Sequence, residues 1–310
     1  MMDPLEAAAV TGFLAAAVRV ATPLLIAALG ETVTERAGVI NLGLEGAMLA
    51  GALTSALAAV AGGPWQGLAL AVVAGALVSA LLGAVVVFAG ANQIIAGTAV
   101  TLASVGLTGA VHRAWVAGGT AAPVVPTLAP VPIPLLAELP LAGSALFTQP
   151  VPTYVGLVLV PVLWWALFRT RGGLALRATG ESAPMARAAG ARIRLIRMVA
   201  TVFGGALAGL AGASLVLGQV GSFAERMTAG RGYLAIAIVV LGRWHPAGVA
   251  LAALVFGAAT ALQFVFQSLG LDVPYQLFLV LPYVLTLLAL AGAVGRAQPP
   301  ADLGRDLGSN

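Results

Sequence analysis

The chain contains no lysine and no cysteine, and it carries few charges of any kind. Only 8% of its 310 residues are charged and 60% are hydrophobic, whereas roughly a quarter of a soluble domain is charged. The absence of cysteine excludes disulfides, thiolate metal ligands and cysteine nucleophiles. The absence of lysine excludes a P-loop of the form GxxxxGK[ST], so any ATP hydrolysis must be performed by another polypeptide.

Motifs for catalysis are also missing. No HExxH is present, and no GxSxG is followed by a credible histidine and acid. The two histidines, His112 and His245, fall at predicted helix ends on opposite sides of a membrane. The arginines are not interleaved with aromatic residues as in a nucleic-acid platform. The sequence therefore predicts no catalytic residue, no metal or cofactor in this chain, and no nucleic-acid partner.

Apolar runs of about 20 residues, the length that crosses a bilayer as a helix, recur along the chain. They are continuous and rich in Ala, Gly, Leu and Val, which favours helices over a transmembrane barrel. We predict an all-α polytopic membrane protein with about 8 to 10 transmembrane helices, short or discontinuous ones included. The candidate segments are 7–29, 46–62, 66–88, 92–111, 151–168, 197–219, 231–242, 247–268 and 275–292.

The arginines predict the topology. Seven of the fifteen lie between Arg169 and Arg197, and an arginine-dense loop beside membrane spans is held in the cytoplasm. Residues 1–310 then form one membrane domain, with a cytoplasmic loop at about 169–197 and a cytoplasmic tail at about 295–310. The stretch 112–150 is rich in proline and is predicted to be external, and its run PVVPTLAPVPIPLL at 123–136 is predicted to be extended. The side of the N-terminus stays open, because residues 30–45 fit either a cytoplasmic connection or a further membrane element.

Polar residues interrupt the apolar sequence in three places, and the first is residues 30–49. Glycine-interrupted backbone at membrane depth must line a cavity or be buried in protein. Ionisable groups there are costly. We therefore expect Asn41 and Glu45 to face a polar pathway. The other charged residues fit either partners within the membrane or a helix connection in interfacial water; they are Glu31, Glu35 and Arg36.

The second and third interruptions are residues 91–100 and 218–248. Asn92 and Gln93 begin a helix in the former and are further pathway candidates, with a simple helix cap as the alternative for Asn92. The latter holds a run of about eleven apolar residues, too short to cross alone and typical of a broken central helix. Its end, Arg243 to His245, is interpreted as an interfacial anchor and turn. Small residues at 204–213 predict close helix packing.

Three stretches resemble the membrane permeases of bacterial ABC importers in the branched-chain amino acid, ribose and nucleoside group. They are ERAGVINLGLEGAML at 35–49, the arginine loop at 169–197, and GRGYLAIAIVVLGRWHPAG at 230–248. The first and third look more like nucleoside or simple-sugar permeases. The resemblance implies a permease subunit that imports a small polar solute, foremost a nucleoside, across the bacterial plasma membrane. A branched-chain amino acid or sugar permease of the same group is the alternative, and a stand-alone secondary transporter is the second.

The same resemblance implies partners. They are an ABC ATPase that binds ATP and Mg, often as two fused nucleotide-binding domains, a second and different permease subunit, and an extracytoplasmic substrate-binding protein. In such importers a short cytoplasmic helix lies in a groove of the ATPase. The candidate here spans 182–189, with signals for a helix start and stop. The coupling residues expected from it are Glu181, Pro184, Arg187, Ala188 and Gly190. In the competing interpretation the arginines determine topology alone and nothing docks.

Overall fold

The computed structural model describes residues 4–117, 124–134, 136–137, 142–268, 280, 284 and 298–305. Helices dominate this part of the chain. They are α1 (Pro4–Arg36), α2 (Leu44–Gly62), α3 (Pro64–Gly83), α4 (Gln93–Ala117), α5 (Ala142–Phe147), α6 (Val151–Arg169), α7 (Arg171–Glu181), α8 (Ala183–Ala188), α9 (Ile193–Leu215), α10 (Arg231–Leu241) and α11 (Pro246–Ser268). Single π-helical turns, Ala84–Phe88 and Val216–Val220, extend α3 and α9.

Within the described residues, six helices are long and apolar enough to cross a membrane. They run over Val10–Arg36, Leu44–Gly62, Pro64–Phe88, Gln93–Ala117, Val151–Arg169 and Ile193–Val220. Two shorter apolar helices follow, Arg231–Leu241 and Pro246–Leu262. The prediction of an all-α polytopic membrane protein with short central helices is confirmed. The candidate segment 275–292 lies outside the described residues, apart from positions 280 and 284.

Helix α9 lies at the centre of the bundle, packed on α1, α2 and α3. Glycines allow this close approach, because a Cβ atom added at Gly51 would stand 2.5 Å from the Cα of Gly209, and one at Gly75 would stand 2.2 Å from the carbonyl oxygen of Gly205. The small residues predicted to form a packing seam therefore do so. Buried apolar side chains of α1, α2, α10 and α11 complete the main core, among them Ile26, Met48 and Phe256.

The first helix is longer than predicted. It continues without a break from residue 4 to Arg36, and the irregular segment is only 37–43. Two threonines support the extension, since Thr32 and Thr34 donate hydroxyl hydrogen bonds to the carbonyl oxygens of Ala28 and Gly30. From the sequence, Gly30 suggests that the helix ends there, but in the structure Gly30 lies within the helix and packs against Gly204 of α9. Residues 30–36 are thus part of the first crossing.

The arginine loop is itself helical. Thr170 accepts a hydrogen bond from the amide of Gly173 (3.0 Å) and so caps α7, a helix that is not predicted from sequence. We call the end of the bundle where α7 and α8 lie the arginine end. Near the opposite end the proline-rich stretch is irregular over 124–130, and Val131–Pro132 pairs with Thr148–Gln149 as a short antiparallel ladder. Residues 124–133 of the proline-rich run are non-helical, as predicted, whereas α4 continues to Ala117 and α5 is a short helix before the second strand.

Candidate functional site

Glu45 joins two interrupted segments that lie far apart in sequence. Its carboxylate accepts hydrogen bonds from the hydroxyl of Thr228 (2.6 Å) and from the amides of Gly230 (2.8 Å) and Gly232 (2.6 Å). The first amides of a helix have no partner within the helix, and a negative charge there is favourable. Glu45 therefore caps the N-terminus of α10. Gly232 allows the contact, because a Cβ atom there would stand 2.6 Å from the Cα of Glu45.

The other end of α10 is attached to the end of α1. Trp244 is buried, its indole nitrogen donates to Glu35, and its carbonyl oxygen accepts from Nε of Arg36 at 3.0 Å. The interpretation of Trp244 as an interfacial anchor is wrong, since its indole N–H is needed by a buried carboxylate. Glu31 and Glu35 are buried as well, so the alternative of interfacial water is also wrong for them.

Asn41 lies in the interior between α1 and α3. Its backbone amide donates to the carboxylate of Glu31 at 2.9 Å, and its side-chain amide donates to the hydroxyl of Ser79 at 3.3 Å. Two buried acceptor atoms here, Oδ1 of Asn41 and Oε2 of Glu31, have no hydrogen-bond partner among the described residues. Buried acceptors usually find a partner, so this cluster has capacity for a further donor.

The structure separates the two pathway candidates at the start of α4. The side-chain oxygen of Asn92 accepts from the amides of Ile94 (3.0 Å) and Ile95 (3.2 Å), so it caps the helix. Gln93 is buried and accepts from the amide of Ile40 at 2.7 Å. It thus joins the interrupted segment 37–43, whereas Asn92 does not. Contact of either residue with a solute stays a prediction, as it does for Asn41 and Glu45.

The predicted docking segment forms helix α8. Ser182 precedes it, Pro184 lies in its first turn, and Gly190 follows it with φ of +88°. One face is buried through Ala183 and Ala186. The other projects from the protein and carries Met185, 76% exposed, with exposed residues Arg187 and Ala188. Met185 is not among the residues expected from sequence. Its place directly after Pro184, in the first turn of the predicted helix, is the signal for it.

Two cavities open at the arginine end. One of about 540 Å³ lies between α8 and the start of α9 and is lined in part by Phe88, Arg187 and Arg194. The other, of about 430 Å³, is polar and is lined by Arg36, Glu181, Arg243, Gln298 and Pro299. Neither is lined by Asn41 or Glu45. Both side chains are buried, so in this conformation they are enclosed by protein.

Both histidines pack against aromatic rings. The ring of His112 lies 5.0 Å from that of Phe223 near the opposite end, where Arg113 and Glu225 also form an ion pair at 3.0 Å. The ring of His245 lies 5.3 Å from that of Phe168. Burial, and next the charge of Arg36, lower the pKa of His245. This shift favours the neutral imidazole, which packs on the ring of Phe168.

A protein-family model described as branched-chain amino acid transport system, permease component, matches residues 13–290. The chain belongs to this family. Guanosine ABC transporter permease protein NupQ of Bacillus subtilis is 33% identical to this permease over 290 residues, which cover 90% of this chain and 91% of the relative. Nucleoside ABC transporter permease protein NupC of Lactococcus lactis is 31% identical over 289 residues, with the same two coverages.

A Haloferax volcanii protein, TsgC13, provisionally named as a glucose ABC transporter permease, is 38% identical over 261 residues, covering 84% of this chain and 79% of the relative. No solved structure matches this permease. The chain is thus a multi-pass membrane permease of an ABC system, a transport component and not an enzyme. Such a permease acts with an ATPase and a substrate-binding protein.

Proposed function

We propose that this permease imports a nucleoside across the bacterial plasma membrane. The observation that carries this proposal is the similarity to two bacterial permeases named for guanosine and for nucleosides, each aligned with 90% of this chain. A sugar is the second candidate solute, favoured by the Haloferax volcanii relative named for glucose.

The exposed face of α8 is proposed as the contact with the ATPase. A short helix that is bounded by Pro184 and Gly190 has a defined start and stop, and its exposed methionine suits an apolar groove. Glu181, the last residue of α7, and Arg187 of α8 are exposed and available to polar partners on the ATPase, and the small side chain of Ala188 allows a close approach. Closure of the ATPase on nucleotide would displace α8 and, through α7 and α9, the bundle.

The arginine end is proposed to be cytoplasmic, with 169–197 and the C-terminus on that side. The opposite end then receives solute from the binding protein. We further propose a pair of different permease subunits and an ATPase with two fused nucleotide-binding domains.

Asn41 and Glu45 are proposed to line the solute pathway when the bundle opens. The unpaired acceptor Oδ1 of Asn41 supports this, because nucleosides present hydroxyl and amine donors. Glu45 already accepts three hydrogen bonds from the segment before and at the start of α10. It can meet a solute only if α10 moves, which links solute contact to a conformational step.

Uptake by the assembled system tests the substrate and the energy source together. The permease, its partner subunit, the ATPase and the binding protein are reconstituted in proteoliposomes, and uptake of labelled guanosine is measured with ATP and with a non-hydrolysable analogue. We expect ATP-dependent uptake that excess adenosine or uridine inhibits and excess glucose or leucine does not. Inhibition by glucose alone would favour the sugar permease. Uptake by the isolated chain without ATP would favour a secondary transporter.

A further inference from the structure

The C-terminal segment 298–305 is bound to the arginine end by its one buried acid. Asp302 is 5% exposed. Its backbone amide donates to the carbonyl oxygen of Gly180 at 2.9 Å, and its carboxylate accepts from the amide of Ala183 at 2.7 Å. Arg305 forms an ion pair with the second carboxylate oxygen at 3.0 Å. The segment is therefore fixed at the point where α7 ends and α8 begins.

Asp302 supplies the cap that α8 lacks. Ser182 occupies the N-cap position, yet its side chain makes no capping hydrogen bond. Pro184, the next residue but one, has no amide hydrogen. The amide of Ala183, in the first turn, has no partner within its own helix, and it donates instead to a carboxylate 119 residues further along the chain. A hydrogen bond of this kind to a buried charge is stronger than one between neutral groups.

The same segment also reaches the interrupted segment 37–43. The carbonyl oxygen of Arg305 accepts from the side-chain nitrogen of Gln93 at 2.8 Å, and the side-chain oxygen of Gln93 accepts from the amide of Ile40 at 2.7 Å. Gly38, with φ of +87°, also lies against segment 298–305, since a Cβ atom there would stand 3.6 Å from the carbonyl oxygen of Asp302. Ile40 directly precedes Asn41. Segment 298–305 therefore connects α8, through hydrogen bonds of Asp302 and Gln93, to the backbone beside the buried polar cluster.

We propose that Asp302 and Gln93 are positioning residues that transmit a displacement of α8 to segment 37–43 during transport. This role presupposes the docking of α8 on an ATPase, proposed above. Asp302 is hydrogen-bonded to the first turn of α8, and Gln93 is hydrogen-bonded to both segment 298–305 and Ile40. A movement of α8 therefore pulls the tail and, through Gln93, the backbone beside Asn41. If either bond is removed, the ATPase can still move α8, but the movement reaches the polar cluster less completely.

Hydrogen exchange tests the cap without reference to transport. Amide exchange of residues 183–190 is measured in the purified permease complex for the wild type, Asp302→Ala and Asp302→Asn. We expect exchange about tenfold faster in the alanine variant, because the Ala183 amide loses its acceptor. Asparagine still presents a side-chain oxygen to the Ala183 amide, so its exchange should stay near wild type. Unchanged exchange in Asp302→Ala would overturn the assignment of Asp302 as the cap.

The coupling role is tested by the amount of solute moved per ATP hydrolysed in proteoliposomes. We expect this ratio to fall severalfold in Asp302→Ala and in Gln93→Leu, while ATP hydrolysis and assembly persist, and to be retained in Asp302→Asn. Gln298→Ala, an exposed change in the same segment, is the matched control. The double variant should be no worse than the worse single variant, since both act in one chain of contacts.

A wild-type ratio in Asp302→Ala, together with accelerated exchange of α8, would overturn the coupling role. Equal losses in the alanine and asparagine variants would do so too, because they would point to charge and not to the cap. A wild-type complex that moved glucose and no nucleoside would instead overturn the proposed substrate. In that case the ratio remains measurable with glucose.

Discussion

Single carboxylates set the geometry of the buried polar region in this permease. Glu45 holds the start of α10, and Glu35 accepts from the indole of Trp244 just beyond its end. A helix of 11 residues is too short to cross a bilayer, so its polar ends fall within the protein and need such partners. These two acids therefore make a short central helix possible at membrane depth.

Replacement of Glu45 by glutamine should destabilise the protein by about 2–3 kcal/mol, the scale of hydrogen bonds to a charged group. Glutamine keeps one acceptor oxygen, but its amide group would face a backbone donor at the start of α10. The free energy of unfolding in detergent, from denaturant titration, measures the effect. Glu181→Gln changes an exposed acid and should leave the midpoint unaltered. A wild-type midpoint in Glu45→Gln would show that the carboxylate is not needed as a cap.

Trp244→Phe should also destabilise the protein, by about 1–3 kcal/mol, because a buried acceptor of Glu35 loses its donor. The backbone carbonyl of residue 244 that accepts from Arg36 is unaffected. The lost stability is therefore due to the missing indole N–H and to the smaller ring. Trp165→Phe is the control, since Trp165 is exposed on α6. Equal shifts of the unfolding midpoint in the two variants would contradict a special role of the Trp244 N–H.

At the scale of helices, the sequence predicts long apolar elements well and short polar ones poorly. Hydrophobic length alone locates α2, α3, α6 and α9 to within a few residues. The continuation of α1 through Glu31 and Glu35 is not predicted, because it depends on tertiary partners that hydropathy does not contain. Helix α7 is not predicted, because its arginines lower the hydropathy of the segment. Thr170, which comes shortly before two glycines, is nevertheless a residue type that favours the N-cap position. Helix α8 is predicted, since proline and glycine mark both of its ends.

Gly190, which follows the end of α8, gives a prediction at the scale of helices. Gly190→Asp should uncouple transport, lowering ATP-dependent uptake severalfold while the protein still inserts and assembles. A Cβ atom at Gly190 would contact nothing within 4 Å, so the effect comes from the backbone, whose φ of +88° costs a residue with a side chain about 1–2 kcal/mol. That cost loosens the end of the docking helix. Initial rates of uptake and of ATP hydrolysis are compared.

Gly172→Asp is the matched control for this change. It adds the same charge to α7, where a Cβ atom would meet only the hydroxyl of Thr170 at 3.9 Å. We expect uptake close to wild type in this variant. Unchanged uptake in Gly190→Asp, or an equal loss in Gly172→Asp, would contradict a role for the helix stop.

At the scale of the whole molecule, the candidate site is assembled from segments that the sequence keeps apart. Glu45 and Gly232 are 187 residues apart, and Gln93 and Arg305 are 212 apart. Hydrophobic periodicity locates the interruptions but carries no information on which of them meet. The polar residues Asn41, Glu45 and Gln93 could therefore be named from sequence, whereas their partners could not. The order of the helices relative to the membrane sides depends on one rule, the bias of arginine.

That orientation can be tested because the chain has no cysteine, so each introduced thiol is unique. Val124→Cys lies near the opposite end at a position that is 87% exposed, and Gly172→Cys lies on α7 at an exposed position. In right-side-out membrane vesicles a membrane-impermeant maleimide should label the former and not the latter, and in inverted vesicles the pattern should reverse. The unsubstituted chain supplies the blank. Labelling of Gly172→Cys in right-side-out vesicles would place the arginine end outside and with it remove α8 from the reach of any cytoplasmic ATPase.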